Sequence, residues 1–240
     1  MTIRVADLDA SRAFYATTLG ATGKAPSTGG DDLPEWDDFS IGAARSDRPV
    51  TSGLHIGFFV PSREAVHDFW NAGVEAGYLN DGEPGPRPQY TADYYGGFLL
   101  DPDGNSAEAV HREDVRRSGN VDHVWLRVAD ATESKRFYET VAPHAGFRLD
   151  REVDGRAAWV GERPDGGDFS IVAGPPSQNV HLAFPADTRE DVDSFHAQAI
   201  EAGYRDNGAP GERPEYHPGY YGAFVLDPDG NNVEVVHHGR

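Results

Sequence analysis

The chain contains its own repeat. His55 to His111 lies over His181 to His237 without a gap, and about half of the paired positions are identical. The shared blocks include Glu75-Ala76-Gly77-Tyr78 with Glu201-Ala202-Gly203-Tyr204, and Tyr94-Tyr95-Gly96 with Tyr220-Tyr221-Gly222. Asp101-Pro102-Asp103-Gly104-Asn105 likewise matches Asp227-Pro228-Asp229-Gly230-Asn231. Upstream, Val5-Ala6-Asp7 matches Val128-Ala129-Asp130, and Phe14-Tyr15 matches Phe137-Tyr138. A chain built this way folds as two copies of one unit of about 115 residues. The expected domains are 1–112 and 121–240, with the polar stretch 113–120 as linker.

Each copy divides again. In copy two, Val121 to Val128 reads as a strand, and Asp130 or Thr132 caps a helix through Val141. Short strands follow near Ala157–Gly161 and Asp168–Ala173. The plan then restarts. Val180 to Phe184 reads as a strand, and Thr188-Arg189-Glu190-Asp191 resembles a capping box. A helix places Val192, Phe195, Ala199 and Ala202 at helical spacing and stops at Gly203. Gly222 to Leu226 and Asn232 to His237 read as a hairpin across the Asp-Pro-Asp-Gly turn. Strand, helix and about three strands are thus used four times, an α+β plan.

Composition narrows the partners. The formal net charge is -19, with 21 Lys plus Arg against 40 Asp plus Glu. That balance argues against nucleic acid, whose phosphates need a basic footprint, and against anionic membranes. There are no cysteines, which removes disulfides, thiolate metal sites and Cys nucleophiles together. No apolar run approaches the roughly 18 residues of a membrane span, and the first residues show no export pattern. The expectation is a cytoplasmic protein acting on a small molecule.

Three side chains in copy two fall at matching places in the plan. His123 lies on the first strand of its first module, His181 on the first strand of its second, and Glu234 on the last strand. Strand side chains alternate faces. Val124, Leu126 and Val128 pack inward and turn His123 out, and Val180, Leu182 and Phe184 do the same for His181. Val233 and Val235 do so for Glu234. Two neutral imidazoles and a carboxylate on one concave face suit a divalent metal, with places left for water or substrate. The bland reading is two half-exposed strand histidines and a surface glutamate. His67, His144 and His196 fall under that reading.

The fourfold βαβββ plan with ligands on first and last strands resembles the vicinal oxygen chelate superfamily. That family includes glyoxalase I, extradiol dioxygenases, fosfomycin-resistance and bleomycin-resistance proteins. The segment Arg213 to Phe224, running into Asp227 to Glu234, is similar to its small glyoxalase/bleomycin-resistance/dioxygenase members. The resemblance implies two tandem domains, each a curved mixed sheet made from two modules. It places His123, His181 and Glu234 at the first, third and fourth ligand positions. The second carboxylate of glyoxalase I would fall on Asp168-Phe169-Ser170-Ile171-Val172, which has no Glu. The resemblance implies one divalent ion (Fe, Mn, Zn, Ni or Co) and a small substrate with adjacent oxygens. The reaction expected is extradiol dioxygenase-like or glyoxalase/isomerase-like. The alternative is a non-catalytic binding or resistance protein, a role that suits copy one better.

Copy one offers only His55 and Glu108, because His123 maps one place before Met1. A misassigned start is one explanation. Modules also exchange partners in such folds. Exchange would join His123 with His55 and Glu108 and leave His181 and Glu234 alone. Sequential pairing is expected because short connections are the default. In the Gly208–Gly222 segment, Tyr216, His217 and Tyr221 are the candidate catalytic residues, for stacking, proton shuttling or donation to a substrate oxygen. Asp227-x-Asp229-x-Asn231 looks like the start of a calcium loop. The twelfth place holds His238 rather than Glu, so it reads as a turn. A monomer is expected, with a homodimer as alternative.

Overall fold

The computed structural model describes residues 1–27, 32–113, 119–162 and 167–239. The first half of the chain runs β1 (Thr2–Val5), α1 (Leu8–Ala21), β2 (Glu35–Trp36) and β3 (Phe39–Ala43). It continues through β4 (His55–Phe59), α2 (Arg63–Glu75), β5 (Leu79–Pro86), β6 (Tyr95–Leu100) and β7 (Ser106–His111). After it come β8 (Val121–Val128), α3 (Ala131–Ala145), β9 (Phe147–Val153), β10 (Arg156–Gly161) and β11 (Asp168–Ala173). The last module is β12 (His181–Pro185), α4 (Arg189–Glu201), β13 (Arg205–Glu212), β14 (Tyr221–Leu226) and β15 (Asn232–His237). Three modules follow the strand–helix–three-strand plan, and the first, among the described residues, has two strands after α1. No helix among the described residues is long and apolar enough to cross a membrane.

The chain packs as two compact units, Thr2–Trp125 and Leu126–Arg240 with Met1. The division falls inside β8, not at the linker expected at 113–120, of which 114–118 lie outside the described residues. In the first unit β5, β6, β7 and β4 are neighbours in that order, and the start of β8 adds to β4. β4 and β7 are parallel, whereas β4 and β8 are antiparallel, with Gly57 opposite His123 and His55 opposite Trp125. Sequential pairing is thus corrected: the second module joins the first strand of the third. The entry of β8 is fixed by Asp38, whose Oδ1 accepts from the Asn120 and Val121 amides at 2.8 and 3.1 Å. Short connections act here, but the one that decides is the step from β7 into β8.

Each helix begins where its capping residue says. Asp130 caps α3 by accepting from the Thr132 and Glu133 amides, and Thr188 with Asp191 forms a complete capping box on α4. α3 runs past the expected end at Val141 to Ala145, through Pro143, and stops at Gly146 in the left-handed conformation. Its apolar face buries Phe137, Tyr138 and Val141 fully. The segment read as one long loop from Gly208 begins as strand: Arg205–Glu212 pairs with β14 through two register shifts. Gly and Pro hid that strand from a β-propensity reading.

The Asp-Pro-Asp-Gly-Asn turns are structural. Asp101 Oδ1 accepts from the Asp103 and Asn105 amides at 3.0 and 2.8 Å, and Oδ2 accepts from the Tyr15 hydroxyl at 3.0 Å. Asn105 in turn accepts from the Leu54 amide at 3.1 Å, just before His55. The repeat reproduces this with Asp227, Tyr138 and Asn231. The carboxylates hold turn and strand ends together, which is why the motif recurs.

Candidate metal centre

β4, β7 and β8 bring three ligand atoms to one point. His55 Nε2 lies 3.1 Å from Glu108 Oε2 and 3.1 Å from His123 Nε2, and His123 Nε2 lies 3.3 Å from Glu108 Oε2. Donors bonded to one ion at about 2.0–2.2 Å stand roughly 3–3.4 Å apart. The residues therefore fit a divalent cation as two histidines and one carboxylate on one side of it. Among the described residues this is the one group of three His, Cys, Asp or Glu whose ligand atoms all lie within 4.8 Å of one another.

Glycines make the room. A Cβ on Gly57 would run into the His123 ring, and one on Gly96 into the Glu108 carboxylate. At the place of Gly57 the second copy carries Ala183. The centre is sunk, not open: Glu108 is 1% and His123 5% exposed, with His55 half-buried.

Surrounding partners fix both tautomers. The Ser106 hydroxyl donates to Asp81 Oδ2 at 2.7 Å, so it accepts from His55 Nδ1–H at 3.1 Å and leaves Nε2 free to coordinate. His123 Nδ1–H donates to Asp122 Oδ1 at 2.9 Å. Arg112 Nε and Nη2 donate to Asp122 Oδ2 at 3.2 and 3.0 Å. The Tyr94 hydroxyl donates to Glu108 at 2.9 Å. Such partners aim the ligating atoms and are worth about 10–100-fold in metal affinity. Asp122→Asn is accordingly expected to weaken Co(II) binding about 10–100-fold. Calorimetry above pH 9, where His123 has lost its extra proton, checks this; unchanged affinity would remove Asp122 from the account.

The charges follow from burial and neighbours. Burial lowers the His55 pKa, which the Glu108 carboxylate only partly opposes. For His123 burial also pulls downward, but Asp122 and Glu108 outweigh it and lift the pKa to about 9. Burial pushes Glu108 and Asp122 up, yet His123 and His55 hold Glu108, and His123 with Arg112 holds Asp122, below their ordinary values. Burial and Glu108 push Tyr94 far up, so its hydroxyl keeps its proton. In the metal-free chain a proton on His123 therefore occupies the place an ion would take.

The structure does not bring His123, His181 and Glu234 together; His123 stands instead with His55 and Glu108. His181 and Glu234 form a pair of their own in the second unit, with His181 Nε2 2.9 Å from Glu234 Oε2. Tyr220, not Tyr221, donates to Glu234 Oε1, at 2.5 Å. Tyr221 points to the outside, donating to Asp193 at 2.8 Å with Arg189 over its ring. Strand parity sets this: neighbouring residues face opposite sides. His217 Nε2 stands 3.1 Å from His238 Nδ1, and both rings lie beside Tyr220. Tyr216 is 56% exposed and touches Tyr220. None of Tyr216, His217 or Tyr221 belongs to the three-ligand centre. Sequence reading missed Gly57, Tyr94, Arg112 and Asp122. A signal for Gly57 was present, as a Gly-to-Ala difference between matching strands.

Comparison with known proteins agrees with this fold. The chain belongs to the Glyoxalase/Bleomycin resistance protein/Dioxygenase superfamily, whose family description matches residues 1–109 and 120–235. It is similar to a mutant form of glyoxalase I from Zea mays (TM-score 0.68, 19% identity, 99% of this chain and 92% of that one). It also resembles the maize glyoxalase I itself (TM-score 0.65, 19% identity, 99% and 90% covered). A Bacillus subtilis protein shares the fold at 11% identity (TM-score 0.68, 100% and 84% covered). At these identities the likeness is one of fold. No curated protein matches the chain.

Proposed function

We propose that the chain is a metal-dependent enzyme whose single divalent ion is held by His55, Glu108 and His123. Its substrate is a small molecule that presents two adjacent oxygens. The observation that carries this is the triangle of ligand atoms, with sides of 3.1–3.3 Å, built from three strands of one unit. The ion would supply Lewis-acid stabilisation of negative charge developing on the substrate. The chain does the rest. Asp122 and Ser106 hold the two imidazoles in their coordinating tautomers, and Tyr94 fixes the Glu108 carboxylate. The flanking rings of Trp125, Phe98 and Tyr94 limit water around the donors.

Three protein ligands support a dioxygenase-like or isomerase-like reaction over that of glyoxalase I. The position of the latter's extra carboxylate falls in β11, which has no Glu. Candidate ions are Fe, Mn, Zn, Ni and Co. The second cup, with His181, Glu234 and Tyr220, supports a different reading: a pocket that binds a small molecule without turnover. Two ligands hold an ion weakly, and Ala183 fills the room that Gly57 leaves. Metal analysis of purified variants separates the two cups. The wild-type chain is expected to carry one divalent ion, His123→Ala none, and His181→Ala one. Loss of the ion from His181→Ala with retention in His123→Ala would reverse the assignment.

A further inference from the structure

β8 is irregular where it meets the metal centre. Gly57 of β4 lies opposite His123, but the next residue, Phe58, lies opposite Val121. Asp122 is thus an extra residue in the ladder, a β-bulge of the kind that bends a strand and re-aims a side chain. On a regular strand Asp122 and His123 would face opposite sides. Here the two side chains meet, with His123 Nδ1–H donating to Asp122 Oδ1 at 2.9 Å. The bulge therefore creates the pair that orients one of the three donors.

The residue that leads into this bulge is tied down on every side. The Asn120 amide donates to Asp38 Oδ1 at 2.8 Å, and its carbonyl accepts from the Phe59 amide at 2.9 Å. That second bond pins the ladder just beyond the bulge, as Gly57 opposite His123 pins it on the near side. Asn120 Nδ2 donates to the Trp36 carbonyl at 2.9 Å, and Oδ1 accepts from Lys24 Nζ at 2.5 Å. Lys24 also lies over the Phe59 ring, 5.9 Å from its centroid. Trp36 and Asp38 flank Asp37, whose left-handed backbone (φ 61°) makes the tight turn between them.

Resting on the metal reading above, we propose that Asn120 is a positioning residue for the metal centre, acting through the bulge at Asp122. Its side-chain bonds to Trp36 and Lys24 hold the extra residue of β8 at one place in the ladder. Loss of those bonds frees the bulge to move to a neighbouring position, and a shift by one residue turns Asp122 away from the His123 ring. His123 Nε2 then loses its aim although no ligand has changed. Asn120 itself touches none of the three donors in this account.

The test titrates Co(II) into the full chain by calorimetry and records the visible absorption of the bound ion, which reports the geometry of its donors. No turnover is needed. Asn120→Ala is expected to weaken Co(II) binding about tenfold, the low end of the effect of an orienting partner, and to change the Co(II) spectrum. Lys24→Met, which removes one of the two side-chain bonds, is expected to act in the same direction by about threefold. Lys135→Met makes the same charge change in the second unit, among the Glu139 and Glu152 ion pairs, and is expected to alter neither readout. Wild-type affinity in a folded Asn120→Ala chain would overturn the role of Asn120 while leaving the metal centre standing. Weaker binding with an unchanged spectrum would do the same, because it shows general loosening and not a re-aimed donor. An equal loss in Lys135→Met would overturn it too, by assigning the effect to net charge. Should Asn120→Ala not fold, Lys24→Met carries the test, and unchanged affinity there counts against the proposal. A wild-type chain that takes up no Co(II) would instead remove the metal reading, and this inference with it.

Discussion

Gly57→Ala is expected to abolish tight metal binding although it alters no ligand. The added methyl would occupy the space of the His123 imidazole, and β4 backbone on one side and Asp122 on the other leave the ring little freedom. Either the ring swings out of the triangle or β8 separates from β4. Inserting a carbon into a packed site of this kind costs about 1–3 kcal/mol in stability. Losing one of three ligands lowers metal affinity by more than that, on the order of a hundredfold or greater, judged against the 10–100-fold effect of losing a mere orienting partner. The reciprocal change, Ala183→Gly, is expected to leave metal content as it is. Isothermal titration of both variants with Co(II), beside a thermal melt, checks the pair. Normal Co(II) affinity in Gly57→Ala would mean that His123 does not need the space observed beside Gly57.

Metal affinity is expected to climb steeply with pH. His123 holds its extra proton until about pH 9, so below that value each ion bound must expel one proton. Affinity should rise about tenfold per pH unit from 6.5 toward 9 and then level off. The metal-free chain behaves oppositely. The His123 pKa is raised in the fold, from 6.5 to about 9, so its contribution to stability is complete below 6.5 and is lost as pH rises through about 9. That loss is on the order of 3 kcal/mol. Melting temperatures of the metal-free chain should therefore fall between pH 6.5 and 9.5, and the ion should cancel the fall by taking the proton's place. A metal affinity flat across this range would show that His123 is not a ligand.

The sequence made the fourfold module plan legible because repeated helix caps, turn residues and apolar strands all point the same way. Thr188 with Asp191, the buried Phe137-Tyr138 pair and the Asp-Pro-Asp-Gly turns each serve the role their chemistry dictates. That His123, and His181 with Glu234, face away from the apolar residues beside them was legible from strand alternation. Which modules pair was not, because either pairing satisfies the alternation of strand faces. The deciding facts are a missing Cβ at Gly57 and the Asp38 grip on the start of β8, both tertiary. Tyr220 meets Glu234 while its neighbour Tyr221 meets Asp193, because one residue on a strand is the difference between its two faces. His217 meets His238, 21 residues further along the chain, as well as Tyr220 of its own segment.

Anomalous scattering from a crystal of the metal-loaded protein tests the central claim most directly. Data at the metal's absorption edge should give one peak, within bonding distance of His55 Nε2, His123 Nε2 and a Glu108 oxygen. A peak beside His181 and Glu234 with none at His123, or no peak in crystals grown with the ion, would contradict it.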